Sequence, residues 1–171
     1  MRKENVLVIA LVCMAVAGLL FYQYSNRNES GFQTTGSTSL ASTGSSSMIS
    51  WAGYSEGMSS AKNENKHIFL YFHAEWCTYC TKLKKTTFKD KDVRKMLADK
   101  FISIAIDTDK HREIAKQWRV TGLPTMWFLR PDGTRISNIP GYVTADQMMK
   151  FLEFVHTQSY EKMKFHDFMK G

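Results

Sequence analysis

The chain has 171 residues, of which 43% are hydrophobic and 23% charged, so it can hold one domain with additional segments but is short for two. This composition excludes a wholly disordered chain and a collagen-like one. Lys and Arg number 23 against 16 Asp and Glu, and the resulting net charge of +7 permits binding to acidic surfaces. Three cysteines cannot all pair, which excludes a small domain held together by disulfides alone.

Residues 1–24 carry a pattern typical of membrane targeting. Seventeen residues from Val6 to Tyr22 contain no charge, and they follow Arg2 and Lys3. We expect a signal anchor that crosses the inner membrane once, keeps its positive end in the cytoplasm and leaves the rest of the chain in the periplasm or an equivalent extracytoplasmic space. The alternative is a signal peptide cleaved near Ala15-Val16-Ala17, which would release a soluble periplasmic protein.

Residues 25–58 are predicted to form a flexible linker. Ser, Thr and Gly make up 16 of the 26 residues from 25 to 50, a composition that cannot bury a core. A flexible chain of this length spans roughly 28 Å, which would let an attached domain move near the membrane. The domain itself is predicted over residues 59–157. A helical extension is predicted over residues 158–171. We expect it to pack against the domain, and contact with anionic lipid is the alternative.

Hydrophobic runs and turn signals in the predicted domain follow the order βα(α)βαββα. The predicted strands are, in chain order, His67–Phe72, Phe101–Ile106, Thr125–Leu129 and Arg135–Ile139. A turn at Arg130-Pro131-Asp132-Gly133 joins the last two strands into a hairpin. The residues predicted to begin helices are Thr78, a cap at Asp90 or Asp92, a cap at Asp109, and a capping box of Thr144 with Gln147. This order predicts parallel strands joined by helical crossovers, with an antiparallel hairpin at one edge of the sheet.

The motif Cys77-Thr78-Tyr79-Cys80 follows the first predicted strand and begins a predicted helix. Cysteines at i and i+3 can close a small disulfide ring. Unpaired N–H groups and the partial positive charge at a helix N-terminus stabilise an exposed thiolate at Cys77 over the neutral thiol. The segment from Lys82 to Lys100 adds eight basic residues against three acidic ones, a local net charge of +5. The motif therefore predicts a redox-active dithiol.

Two metal sites are alternatives to a redox role for these cysteines. A Cys-x-x-Cys pair is also half of a zinc site, but Cys13 lies in the predicted membrane segment and the five histidines show no paired spacing. A copper site could use Cys77, Cys80 and His73, because soft thiolates suit Cu(I). A noncatalytic copper-binding chaperone is thus the alternative from a different functional class, although we expect no metal here.

Two motifs resemble the signatures of the thioredoxin superfamily: the stretch from Ala74 to Cys80 after a buried strand, and the stretch from Val120 to Thr125. The resemblance covers about residues 62–157. From Cys80 to Val93 the sequence is especially similar to the C-terminal thioredoxin-like domain of DsbD and to membrane-anchored periplasmic relatives. It implies a three-layer α/β fold with a central mixed sheet of four or five strands, here preceded by a transmembrane helix.

The resemblance also implies the roles of the two cysteines. Cys77 would attack a substrate disulfide, and Cys80 would resolve the mixed disulfide and leave the Cys77–Cys80 disulfide. No cofactor is expected beside this redox-active disulfide.

Four residues are implied to contact the substrate. Trp76 would form an apolar platform, and the backbone of Leu123 would pair with the substrate like an added strand. Pro124 matches the family's cis-proline, which also keeps metal away from the dithiol. Gly141 matches a small residue of the contact surface, with a turn glycine as an equal alternative.

Two positions depart from the family pattern. Tyr71 stands where many thioredoxins have a buried aspartate, and a phenol is a poor base near neutral pH. Proton transfer at Cys80 would therefore use water, Glu75 or His73, with water favoured. Thr78-Tyr79 replaces Gly-Pro between the cysteines, so neither the reduction potential nor the direction of electron flow follows from the resemblance.

We therefore expect a membrane-tethered thiol–disulfide oxidoreductase that reduces disulfides of exported proteins, including apocytochromes. Its electrons would come from a membrane donor of the DsbD type. An oxidase or isomerase of the same fold is the alternative within this class. Nucleic acid is not an expected partner.

Overall fold

The computed structural model of the chain describes residues 48–170. Five strands form one mixed sheet in the order β1-β3-β2-β4-β5. The strands are β1 (Trp51–Ala52), β2 (His67–His73), β3 (Phe101–Asp107), β4 (Thr125–Leu129) and β5 (Arg135–Pro140). β3 runs parallel to both β1 and β2, whereas β4 is antiparallel to β2 and to β5. The expected α/β fold with a mixed sheet and an antiparallel hairpin at one edge is confirmed.

Helices cover both faces of this sheet. The described α-helices are α1 (Tyr54–Glu64), α2 (Thr78–Lys85), α3 (Lys91–Lys100), α4 (Arg112–Gln117), α5 (Ala145–His156) and α6 (Phe165–Phe168). Short 3₁₀ turns follow α2 at Thr87–Lys89 and α5 at Ser159–Glu161. One buried cluster joins the sheet to α2, α3 and α5, and a second joins the other face to α1 and the end of α4. The result is three layers with two cores.

β2 lies at the centre of the sheet, between β3 and β4, and its first six residues are buried. Because side chains alternate along a strand, Phe69 and Tyr71 belong to the core beneath α2, while Ile68, Leu70 and Phe72 belong to the opposite core. The predicted strand, buried on both faces, is therefore confirmed. Its C-terminal end leads directly to Cys77.

The domain begins earlier than the sequence predicted. β1 and the first half of α1 lie within residues 25–58, so the predicted linker boundary at residue 58 is wrong. Two small residues of α1, Gly57 and Ala61, are buried against the sheet. Gly57 is buried, and a Cβ added there would collide with the side chain of Ile104 on β3. Trp51 of β1 packs its ring near Tyr71 and Phe88, with centroids 5.7 and 5.4 Å away.

Two of the predicted helix caps are confirmed and one is wrong. Asp90 accepts hydrogen bonds from the N–H groups of Asp92 and Val93 at the start of α3. Thr144 and Gln147 form the predicted capping box of α5. Asp109 does not cap α4, which begins after His111; its carboxylate accepts a hydrogen bond from another side chain, described below.

The C-terminal extension packs against its own domain. The ring of Phe165 stacks on that of Phe151 in α5 at a centroid distance of 3.8 Å, and Phe168 contacts Phe154. Within residues 48–170 no helix is both long and apolar enough to span a membrane. The predicted anchor over residues 1–24 and most of the predicted linker lie outside the described residues.

Candidate active site

The dithiol lies at the N-terminus of α2. Cys77 is the N-cap residue, and it forms a disulfide with Cys80 in the first turn, with Cα atoms 5.2 Å apart. The backbone N–H of Cys80 donates a hydrogen bond to Cys77 Sγ over 3.1 Å. The first turn of α2 thus directs an N–H group at the sulfur of the first cysteine.

This hydrogen bond favours a negative charge on Cys77 once the disulfide is reduced. A thiolate accepts a hydrogen bond more strongly than a neutral sulfur, and it lies at the positive end of the helix dipole. The first turn of α2 carries no acidic residue that would oppose the charge. The local geometry therefore suits a nucleophilic thiolate at Cys77.

Burial at the dithiol differs from the expectation of an exposed first sulfur. In the disulfide form Cys77 is only 5% exposed and Cys80 1%. The ring closes toward the inner side of α2, where both cysteines and Leu83 belong to the core. The neighbouring aromatic side chains point outward instead, with Trp76 70% and Tyr79 60% exposed. The surface around the disulfide is therefore aromatic.

Trp76 is fixed by a residue that the sequence assigned to another role. Its Nε1–H donates a hydrogen bond to Asp109 Oδ2 over 3.0 Å, which ties the loop after β3 to the active site. Trp76 and Leu123 line the same pocket of about 200 Å³, together with Thr108 and Val120. The structure thus brings together two of the residues predicted to contact the substrate. No signal in the sequence indicated Asp109 as the hydrogen-bond partner of Trp76, because the two residues are 33 positions apart.

The loop before β4 contains the predicted substrate-binding proline. The Leu123–Pro124 peptide bond is cis. The next residue, Thr125, pairs with Phe72 near the C-terminal end of β2. Pro124 and the loop that leads to Cys77 therefore lie at the same end of the strands. Gly141 adopts a φ of 84°, which favours glycine, and its N–H donates to the carbonyl oxygen of Pro124 over 2.7 Å. Gly141 is therefore both a turn residue and a neighbour of Pro124.

Tyr71 and His73 stack on each other beneath α2, with ring centroids 5.0 Å apart. Burial raises the pKa of Tyr71, so the phenol keeps its proton. Burial, followed by the charge of Lys84, lowers the pKa of His73 and favours the neutral imidazole. Tyr71 Oη and His73 Nδ1 are buried, and neither has a hydrogen-bond partner among the described residues. In particular, neither atom is hydrogen-bonded to a cysteine sulfur. Glu75, the third residue predicted to transfer a proton, is exposed.

No cluster of three or more His, Cys, Asp and Glu side chains within residues 48–170 is placed to hold a metal ion.

Comparison with known proteins agrees with this architecture. The family model of the thioredoxin-like domain matches residues 54–156. The chain belongs to the thioredoxin-like family. It carries the Cys77–Cys80 disulfide at the start of α2, within the residues that the family model matches.

Individual relatives include proteins named for thiol:disulfide interchange. The chain is 28% identical to thiol:disulfide interchange protein DsbD of Haemophilus ducreyi over 159 residues, which cover 89% of this chain and 26% of that protein. It is 26% identical to the reduced C-terminal domain of Neisseria meningitidis DsbD, with a TM-score of 0.50 over 58% of this chain and 90% of that domain. It is 27% identical to a Thermus thermophilus thioredoxin, with a TM-score of 0.58 over 64% and 87% of the two chains. The chain spans about a quarter or less of the length of the DsbD proteins it matches.

Proposed function

We propose that this chain is a membrane-tethered reductant of disulfides in exported proteins. Residues 1–24 would anchor it in the inner membrane, and a shortened linker up to about residue 50 would carry the domain in the periplasm. The observation that carries the proposal is the disulfide at the start of α2, with the Cys80 N–H on Cys77 Sγ. Similarity to a domain of DsbD supports the direction of electron flow, toward the substrate.

The reaction begins with the reduced domain. The Cys77 thiolate attacks one sulfur of a substrate disulfide, forms a mixed disulfide and releases the other substrate sulfur as a thiolate, which takes up a proton. Cys80 then loses its proton and attacks Cys77 Sγ. The Cys77–Cys80 disulfide forms and the second substrate sulfur leaves. Two electrons have moved to the substrate, and a membrane dithiol donor of the DsbD type would return the domain to its reduced form.

The surroundings of the dithiol support particular roles in these steps. Trp76 and Leu123 line one pocket, which suits an apolar side chain of the substrate next to the attacked disulfide. Pro124 and Gly141 would complete this contact surface. Burial raises the pKa of Tyr71, which makes its phenol a poor base for Cys80 near neutral pH. Water is the acceptor that we favour, with the neutral imidazole of His73 or the Glu75 carboxylate as the side-chain alternatives.

Trapping in cells tests the proposal. In a Cys80→Ser chain the mixed disulfide on Cys77 cannot be resolved, so exported proteins should accumulate as reducible adducts that mass spectrometry identifies. The Cys77→Ser/Cys80→Ser chain is the matched control and should trap none. Absence of adducts at normal expression would contradict the enzyme assignment. The direction is tested by the wild-type pair, which should be reduced in growing cells and become oxidised when the membrane donor is deleted.

A further inference from the structure

A second cavity lies beneath α2, on the sheet face that carries Tyr71 and His73. Its volume is about 700 Å³, within the range of small-molecule sites. Trp51 of β1, Phe88 of the 3₁₀ turn and Ala105 of β3 form an apolar part of its wall. Neither cysteine lines it, and it shares no lining residue with the pocket of Trp76 and Leu123. It is therefore separate from the proposed substrate site.

The charged residues of this cavity all have the same sign. Lys84, Lys89 and Arg94 come from α2, the 3₁₀ turn and α3, and all three line it. No Asp or Glu is among the described residues that line it. A cavity with this charge attracts an anion and disfavours a cation.

Three of the lining residues also carry a buried polar atom that lacks a partner. These atoms are Tyr71 Oη, His73 Nδ1 and Arg94 Nε, and none has a hydrogen-bond partner among the described residues. Tyr71 itself is only 1% exposed. Buried polar groups in native proteins are nearly always paired, and each exception calls for an explanation. A polar ligand group in the cavity would supply the missing partner.

We propose that this cavity binds an amphipathic organic carboxylate. Its carboxylate would accept hydrogen bonds from Arg94, assisted by the charge of Lys89, with the neutral phenol of Tyr71 as a further donor. The apolar part of the ligand, either a planar two-ring group or an aliphatic group of similar size, would pack against Trp51 and Phe88. An inorganic anion would leave the apolar wall uncovered, and a neutral hydrocarbon would leave the polar atoms unpaired.

Calorimetric titration of the full chain in a nonionic detergent tests this proposal, with 2-naphthoate as the probe and detergent alone as the blank. We expect saturable binding at one site. Arg94→Gln should weaken the affinity at least tenfold, because a hydrogen bond to a charged group is lost. Tyr71→Phe should weaken it by a smaller factor, about fivefold. The neutral isostere 2-naphthylmethanol should bind at least tenfold more weakly than 2-naphthoate.

Two further variants separate a local effect from misfolding. Lys89→Gln changes an exposed side chain, so it should leave the fold intact and still weaken binding severalfold. Arg112→Gln removes an exposed charge from α4 and should leave the affinity unchanged. Absence of saturable binding, equal affinity for the alcohol, or unchanged affinity in both Arg94→Gln and Lys89→Gln would overturn the proposal. An equal loss of affinity in Arg112→Gln would also overturn the proposal, since it would show that 2-naphthoate responds to the net charge of the protein and not to the cavity.

Discussion

Reduction of the Cys77–Cys80 disulfide is expected to lower the free energy of unfolding of the domain by about 1 to 2 kcal/mol. The disulfide closes a loop of only four residues, since the cysteines are three positions apart. In the chain-entropy model such a loop destabilises the unfolded state by about 2 kcal/mol at 25 °C. In the reduced form part of this lost stability is regained, because the helix N-terminus stabilises a thiolate at Cys77 in the folded state by about 0.3 to 1 kcal/mol.

The sign of this difference tests the proposed role of the domain as a reductant. If the disulfide form is the more stable one, the folded dithiol is a stronger reductant than the same pair of cysteines in the unfolded chain. For a two-electron couple about 1.4 kcal/mol corresponds to about 30 mV. The expected difference has the sign that the proposed role as a reductant requires.

Denaturant unfolding followed by tryptophan fluorescence measures the difference directly. The chain should carry Cys13→Ser, so that only one thiol pair is present, and should be compared with and without reductant. The Cys77→Ser/Cys80→Ser chain is the control, and its stability should not respond to reductant. A reduced form that is more stable than the disulfide form by about 1 kcal/mol or more would refute the reasoning, since it would indicate an oxidant.

Two further predictions concern the stability of the domain, measured by denaturant unfolding. Gly57→Ala should destabilise it by about 1 to 3 kcal/mol, because the added methyl group overpacks the contact of α1 with the sheet, whereas Asn63→Ala on the exposed side of α1 should have little effect. Stabilisation by Gly57→Ala would show that α1 does not pack as described. Burial and the nearby cations lower the pKa of His67, whose Nε2 lies 3.0 Å from Tyr160 Oη. The unfolded state therefore binds a proton on His67 more tightly than the folded state does. The free energy of unfolding should fall as the pH drops below about 6.5. His67→Gln should flatten this dependence and His111→Gln should not; the same pH profile in wild type and His67→Gln would contradict the assignment.

The sequence was sufficient to predict four of the five strands, β2 to β5, because they lie between clear turn signals. The segment Thr125–Leu129 was predicted with the bounds that the structure has. The Cys-x-x-Cys spacing after a buried strand indicated that a disulfide could form at the start of α2, and the family resemblance implied that it does. These features are local, so a single sequence contains them.

The features that could not be predicted depend on contacts between distant residues. α1 has little apolar surface, and only its packing against Ile104 shows why a glycine is buried there. Asp109 accepts a hydrogen bond from Trp76 and does not cap α4. An aspartate near a helix start suits either role, so the sequence alone could not distinguish them. The cavity beside Tyr71 and Arg94 is formed by several elements that only the fold brings together.

Alkylation of the reduced chain tests the central claim, that Cys77 is the reactive thiolate and Cys80 its protected partner. With limiting iodoacetamide near neutral pH, mass spectrometry of the Cys13→Ser chain should find the label on Cys77, formed faster than on a free cysteine peptide, and almost none on Cys80. This follows from the N–H group that Cys80 directs at Cys77 Sγ and from the deeper burial of Cys80. Equal labelling of the two cysteines, or a rate at Cys77 no greater than that of the peptide, would contradict the account.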